Sequence, residues 1–312
     1  MSARRLKASP SRADFQGPFP SSRKADGAIR GTAIAKTYPV DKQLAILHAN
    51  CQGDPLSRAL QASPEFRQAY APRVYLNYAR EEIPQADLDA CGLFLYQHLG
   101  PDWGELASEA LLKRLPPGCP SLCIPNMFFR GAWPLWSGAP GFDYRDIFLD
   151  HLLDLGLPGE DILHVYLRTP LAAKYDLAAL LEETTGLERA RQARTPVPYL
   201  DFVLENYRRR PLFLSVNHPA SELLAHAARG ILRELDLAPA DAQALSALES
   251  GYEDFFLPIH PQVAEFYGLA YGGPAASYPV YGRARTFSEY AAAYVSCRKA
   301  GINDFIGYLQ LA

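Results

Sequence analysis

The sequence predicts a helix-rich α/β protein in which a small, mainly parallel sheet is flanked by helices. Three observations carry that prediction. Short apolar runs alternate with stretches of helical period along the first half of the chain. Two of these runs, far apart in sequence, end in a polar knot directly before a helix-like pattern: HANCQGDP at 48–55 and SVNHPASE at 215–222. The 312 residues are 48% hydrophobic and 12% aromatic, ample for a large buried core.

Taken in order, residues 1–35 are rich in Ser, Pro, Arg and Lys with little periodic apolar content, and read as a flexible basic arm. Residues 36–312 read as a single catalytic domain. QLAILHAN is a buried strand, and DPLSRALQASPEF is a helix with Asp54 as N-cap and Pro55 in its first turn. PRVYLNYA is a second strand. The run Cys91 to Tyr96, closed by Gln97 and His98, is a third. LASEALLKRLPPG is a helix stopped by Pro116 and Pro117, and SLCIPNMFF is a further strand. His48 and His98 read as hydrogen-bonded loop residues near strand ends. Helical patterns follow in FDYRDIFLDHLLDLGLP, in the long LAAKYDLAALLEETTGLERARQA, and in VPYLDFVLENYRRR. PLFLSVNHPASELLAHAARGILRELDL then repeats strand, knot and helix, and TFSEYAAAYVSCRKAG closes the chain with another helix.

Composition excludes several function classes. A formal net charge of -3 gives no basic field for nucleic acid. No apolar run approaches the ~20 residues of a membrane-spanning helix, and the N-terminus lacks the apolar core of a secretory signal, so a cytoplasmic protein is expected. Five scattered cysteines do not form a disulfide framework. Cys119 and Cys123 are spaced like half a zinc site without a second pair of ligands, so no metal is expected.

The two knots suggest one chemistry. In open α/β sheets, ligands bind at the carboxyl ends of strands, and two parallel strands would bring Cys51 and His218 to the same edge. A thiol at a helix N-terminus feels the positive end of the dipole, which favours thiolate. The backbone N–H groups of Gln52 and Gly53 would be free to cradle an oxyanion, and Gly53 lets the backbone approach a substrate closely. His218 is positioned in sequence to take a proton from the thiol or from an acceptor hydroxyl. Asn50 and Asn217 can donate hydrogen bonds to a tetrahedral intermediate or hold the knots. The same residues also fit a core thiol and an N-capping turn.

AILHANCQGDPLSRAL, CGLFLYQHL, CIPNMFFRGAWP and LFLSVNHPASELL together resemble the WcbI family of polysaccharide-biosynthesis acetyltransferases. The resemblance rests on Asn50-Cys51-Gln52, Gln97, Ile124-Pro125 and Asn217-His218-Pro219, in that order, over roughly residues 44–270. It implies a cytoplasmic enzyme that uses acetyl-CoA to O-acetylate a capsular sugar, with a sugar nucleotide or nascent capsular glycan as acceptor. It also implies Cys51 and His218 as the catalytic pair, with Gln97 joining Asn50, Gln52, Gly53 and Asn217 as orienting or oxyanion-binding residues. The layout is similar to an SGNH-type hydrolase core with extra helical segments, Cys51 standing where a serine would. The Asp-x-x-His block of those hydrolases is absent, which leaves open what orients His218. Ala49 stands where Gly is frequent in the family. Coenzyme A would need basic and aromatic contacts; Arg130, with Phe129 and Trp133 beside it, and Arg73 are the candidates. Two rivals remain: a Cys-dependent esterase or deacetylase using the same pair, and a non-catalytic glycan-binding protein of capsule assembly.

Overall fold

In a computed structural model, residues 42–312 are described; the expected basic arm at 1–35 lies outside them. The central strand is β1 (Gln43–Ala49). It runs parallel to β2 (Tyr70–Leu76) on one side and to β3 (Cys91–Tyr96) on the other, and β4 (Ser121–Cys123) adds parallel to β3, giving the order β2-β1-β3-β4. Parallel neighbours require crossovers. Helices α1 (Gly53–Gln61) and α2 (Pro64–Ala69) connect β1 to β2, α3 (Gln85–Asp89) precedes β3, and α4 (Ser108–Leu112) precedes β4.

The strand is apolar at nearly every position because both faces of the sheet are covered. Ala45, Leu47 and Ala49 point into one core with Leu56, Ala59 and Leu60 of α1 and Phe66 of α2; Leu44 and Ile46 point into a smaller one with Leu88 of α3 and Leu111 of α4. The larger core continues through the rest of the chain: α5 (Ile147–Asp154), α6 (Gly159–Arg168), α7 (Leu171–Lys174), α8 (Leu177–Gln192), α9 (Leu200–Asn206), and, beyond a short hairpin, α10 (Ser221–Glu234), which packs on α1. Then come α11 (Ala242–Ser246) and α12 (Pro261–Tyr267). A terminal hairpin leads through a Thr286–Glu289 capping box into α13 (Phe287–Lys299) and α14 (Phe305–Leu311). No helix among the described residues is long and apolar enough to cross a membrane.

Local expectations are corrected in three places. Asp54 is not the N-cap of α1; Gln52 is, without a side-chain cap, and Asp54 sits in the first turn, where its charge still suits the dipole. The predicted single helix breaks at Ser63, whose hydroxyl accepts from Phe66 N and caps α2. The long pattern from 171 splits into α7 and α8 because Asp176 caps a new start by accepting from Ala179 N.

The larger correction concerns the second knot. Its strand does not join the parallel sheet. β5 (Phe213–Ser215) turns back at once and pairs antiparallel with β6 (His218–Pro219). A three-residue strand followed by a tight turn cannot form a crossover. The hairpin is instead held from outside, by Phe129 N on the Val216 carbonyl (2.8 Å) and Leu257 N on the Leu214 carbonyl (2.8 Å).

His48 is likewise not a loop residue. It lies in β1, fully buried, with neither ring nitrogen hydrogen-bonded, and burial lowers its pKa to about 4. The unfolded chain takes up a proton below ~6.5 that the fold refuses, so stability present at neutral pH is lost as pH falls through that window towards 4. His48→Leu removes a buried, unpaired polar group at similar volume. Urea denaturation should show it about 1–3 kcal/mol more stable at pH 7, with a shallower loss of stability between pH 6.5 and 4; a destabilised variant would contradict this account.

Candidate functional site

The site forms where β1 ends. Asn50 turns the chain: its side-chain Oδ1 accepts from Gln52 N (2.9 Å), and its carbonyl accepts from Gly53 N (2.9 Å). Both amides expected to receive an oxyanion are therefore already committed, and that expectation is corrected. Gly53 also has a different reason to be glycine. A Cβ there would meet Val74 Cγ1 at 2.7 Å and Ala49 Cβ at 3.1 Å, so the close approach is between α1 and the sheet rather than with a substrate.

Gln52 and Gln97 are fully buried and hydrogen-bonded to each other. Gln52 Nε2 donates to the carbonyls of Met127 (2.7 Å) and Asn217 (2.9 Å), while its Oε1 accepts from Met127 N (3.1 Å) and Gln97 Nε2 (3.2 Å). Gln97, one residue past β3, also donates to the Pro125 carbonyl (3.0 Å) and accepts from Asn50 N (2.8 Å). Asn50 Nδ2 donates to Asn126 Oδ1 (3.1 Å). This network pulls the β5–β6 hairpin against the end of β1 although the two belong to different sheets.

The hairpin brings Asn217 to Cys51: Asn217 Nδ2 lies 3.7 Å from Cys51 Sγ, and Asn217 Oδ1 accepts from Ser215 Oγ (3.3 Å). Burial pushes the thiol up to about 11, against hydrogen bonds from Tyr252, the Cys51 amide, Asn217 and the Gln52 amide that act the other way. The thiolate expected from the helix terminus is thus overruled by desolvation. Burial also lowers His218 to about 4, leaving a neutral imidazole at physiological pH. Among the described residues no carboxylate hydrogen-bonds His218. A tyrosine takes that place: the Tyr252 ring stacks face to face on the imidazole, centroids 4.2 Å apart and planes at 12°, and its hydroxyl donates to the Cys51 carbonyl. Tyr252 therefore touches both knots. Nothing in its local sequence marks it, since it sits in an aperiodic loop.

The candidates for coenzyme A are placed elsewhere. Arg130 is ion-paired with Glu183 (2.9 Å) and its amide is bound by Thr184 Oγ1 (3.1 Å), both on α8. Phe129 is buried in the core beside Tyr207 and Phe213. Trp133 is buried, donating to the Leu257 carbonyl (2.9 Å). Arg73 lies mid-strand in β2, paired with Asp87. In the fold each of these four side chains is used in packing or an ion pair. Arg58 of α1 does lie near the site, its guanidinium donating to the Glu249 and Ser250 carbonyls and its charge reaching Tyr252. Among the described residues no group of three or more His, Cys, Asp or Glu is placed to hold a metal ion.

The model of a polysaccharide biosynthesis enzyme family, WcbI, matches residues 44–240, which includes every element that builds the site except the Tyr252 loop. The chain belongs to the WcbI family of polysaccharide biosynthesis enzymes. No curated protein matches it. A solved structure of WcbI superposes with a TM-score of 0.67 at 15% identity, covering 86% of this chain and 98% of that one. It is described as a novel polysaccharide biosynthesis enzyme, in its native form without a disulfide bond between coenzyme A and a cysteine. At that identity the likeness to the WcbI structure is one of fold, and it extends well beyond the family match.

Two outcomes follow from the site. Gln52→Ala strands the Met127 amide, two carbonyls and one N–H of Gln97, at about 1–3 kcal/mol for each group left without a partner, so chemical denaturation should show a loss of roughly 3 kcal/mol or more. Alkylation of Cys51 by iodoacetamide should be slow at pH 7 and climb without levelling to pH 10. A plateau below pH 9 would mean that the thiolate is stabilised.

Proposed function

We propose that the protein is a coenzyme A-dependent O-acyltransferase that acetylates a hydroxyl of a sugar nucleotide or nascent capsular glycan, with Cys51 and His218 at the reacting centre. The observation that carries this reading is the convergence at one strand end of the Cys51 thiol, the Asn217 amide and a neutral imidazole braced by Tyr252. Membership of a polysaccharide-biosynthesis family supports a glycan acceptor. The mention of coenzyme A and a cysteine in the description of the related structure supports a coenzyme A thioester as donor and Cys51 as the group near its sulfur. The expected cytoplasmic location, which coenzyme A would require, is part of the same proposal.

Acetyl transfer breaks the thioester C–S bond, forms a C–O bond, and moves the hydroxyl proton to the departing thiolate. The resting protonation states favour direct transfer over a thioester on Cys51. A thiol near 11 is almost wholly protonated at neutral pH, whereas His218 is already in its base form. His218 would accept the acceptor's proton and return it to the sulfur of coenzyme A. The Tyr252 ring, lying flat on the imidazole, would favour the cation as it forms. Asn217 Nδ2 and the Cys51 amide, both directed at Cys51 Sγ, would be the donors to charge on the acetyl oxygen. Arg58, whose charge reaches Tyr252, would meet the phosphates of coenzyme A.

Calorimetric titration with acetyl-CoA and coenzyme A, without sugar, should give stoichiometric binding; its absence at high protein concentration would overturn the reading. His218→Ala should lower transfer by about 10²–10⁴-fold with coenzyme A affinity unchanged. Intact-protein mass spectra after exposure to acetyl-CoA should show unmodified Cys51. An acetyl adduct absent from Cys51→Ser would replace direct transfer with a covalent route.

A further inference from the structure

A partly open cavity of about 40 Å³ adjoins the site, lined by Trp133, Trp136, Tyr144, Asp146, His260 and Tyr290 among others. Tyr144 belongs to both places. It borders the cavity, and its hydroxyl hydrogen-bonds Ser215, two residues before Asn217. Its backbone is held at φ +50°, unusual for a bulky residue, with the ring stacked on Phe255 at 5.1 Å. Such conformations persist where the surroundings over-determine them.

Most polar groups around the cavity are spoken for. Asp146 accepts from Phe148 N, Leu149 N and Tyr166 Oη; Arg145 is paired with Asp150 at 2.6 Å; Trp133 Nε1 is given to Leu257. Two are not. His260 is 6% exposed, and its Nδ1 accepts from Gln262 N, so the neutral ring carries its proton on Nε2, which has no partner in hydrogen-bonding geometry. The nearby Tyr166 carbonyl acts to raise the imidazole without meeting that geometry. Tyr290 is 5% exposed and its hydroxyl is likewise unpaired. Buried polar groups without partners are rare enough to require an explanation.

The chemistry narrows the occupant. An apolar group would leave both donors unpaired. An anion would face Asp146 with the local cation already neutralised by Asp150. A hydroxyl-bearing, uncharged molecule satisfies both donors and sets its C–H face on the aromatic walls. A water needs roughly 10–15 Å³ of such space, so the cavity accepts about three hydroxyl-sized groups, which is one edge of a sugar ring.

We propose that this cavity is the acceptor subsite, binding one edge of a pyranose through His260 Nε2 and Tyr290 Oη between the walls of Trp133, Trp136 and Tyr144. Its role as acceptor subsite rests on the acyltransferase reading; its capacity to bind a pyranose does not. Binding of methyl pyranosides of gluco, manno and galacto configuration is measured by saturation-transfer NMR, with and without coenzyme A. The proteins are the wild type, Tyr290→Phe and His260→Asn, the last keeping an N-cap on α12. At least one glycoside should bind the wild type, and each variant should bind it about tenfold more weakly or worse, the effect of losing one well-made hydrogen bond. Coenzyme A affinity should be unchanged. The thermal midpoint of Tyr290→Phe should stay level or rise, because a hydroxyl unpaired in the fold does not hold it together. No glycoside binding, or equal binding by the variants, overturns the proposal and leaves a cavity filled by ordered water only. Glycoside binding in a protein that ignores coenzyme A keeps the pyranose site and overturns its role as acceptor subsite together with the donor reading.

Discussion

A glutamine side chain buried away from water must find two acceptors and two donors inside the protein, and Gln52 finds all four on three segments distant in sequence. That requirement is what makes the two knots one site. The parallel sheet ends at Asn50, the β5–β6 hairpin belongs to another sheet, and the segment after β4 belongs to neither. One amide, backed by Gln97, fastens all three. The Asn50, Cys51 and Gln52 triplet therefore divides its labour: the outer residues shape and anchor the turn, and the thiol between them is held in place by neighbours it does not bond covalently.

Burial then sets the electrical character of the centre. A helix terminus contributes a fraction of a charge, worth about 0.3–1 kcal/mol at the surface, whereas removing a thiol from water acts on the full charge of the thiolate. The larger effect wins, and Cys51 stays protonated while His218 stays neutral. Among the described residues no carboxylate hydrogen-bonds His218 to steady an imidazolium as in hydrolytic triads. The stacked ring of Tyr252 supplies orientation without charge.

Helix α8 shows how the same residue types are used structurally. Glu188 is buried, ion-paired with Arg191, and accepts from the Phe128 amide (3.0 Å) and the Tyr199 hydroxyl (2.9 Å); burial raises its carboxyl to about 7. Together with Thr184 and Glu183 it clamps the segment that carries Phe129 and Arg130. That clamp fixes Met127 and its neighbours, on which Gln52 depends, and it sets Arg130 against the Glu183 carboxylate.

Periodicity and turn chemistry are local, so β1, β2, β3, α10 and α13 could be read directly from the sequence, as could the ordered motifs that place the chain in its family. The polar knots were legible too, because a strand ending in Asn-Cys-Gln or Asn-His-Pro departs from any packing pattern. What the sequence could not carry were the quantities that depend on distant partners. Whether the strand before His218 joins the sheet, which carboxylate meets Arg130, how much water reaches Cys51, and that Tyr252 lies on His218 across more than thirty intervening positions in the chain are all decided by tertiary packing. Hydrogen-bond saturation and desolvation are properties of a folded environment, and no window of neighbouring residues contains them.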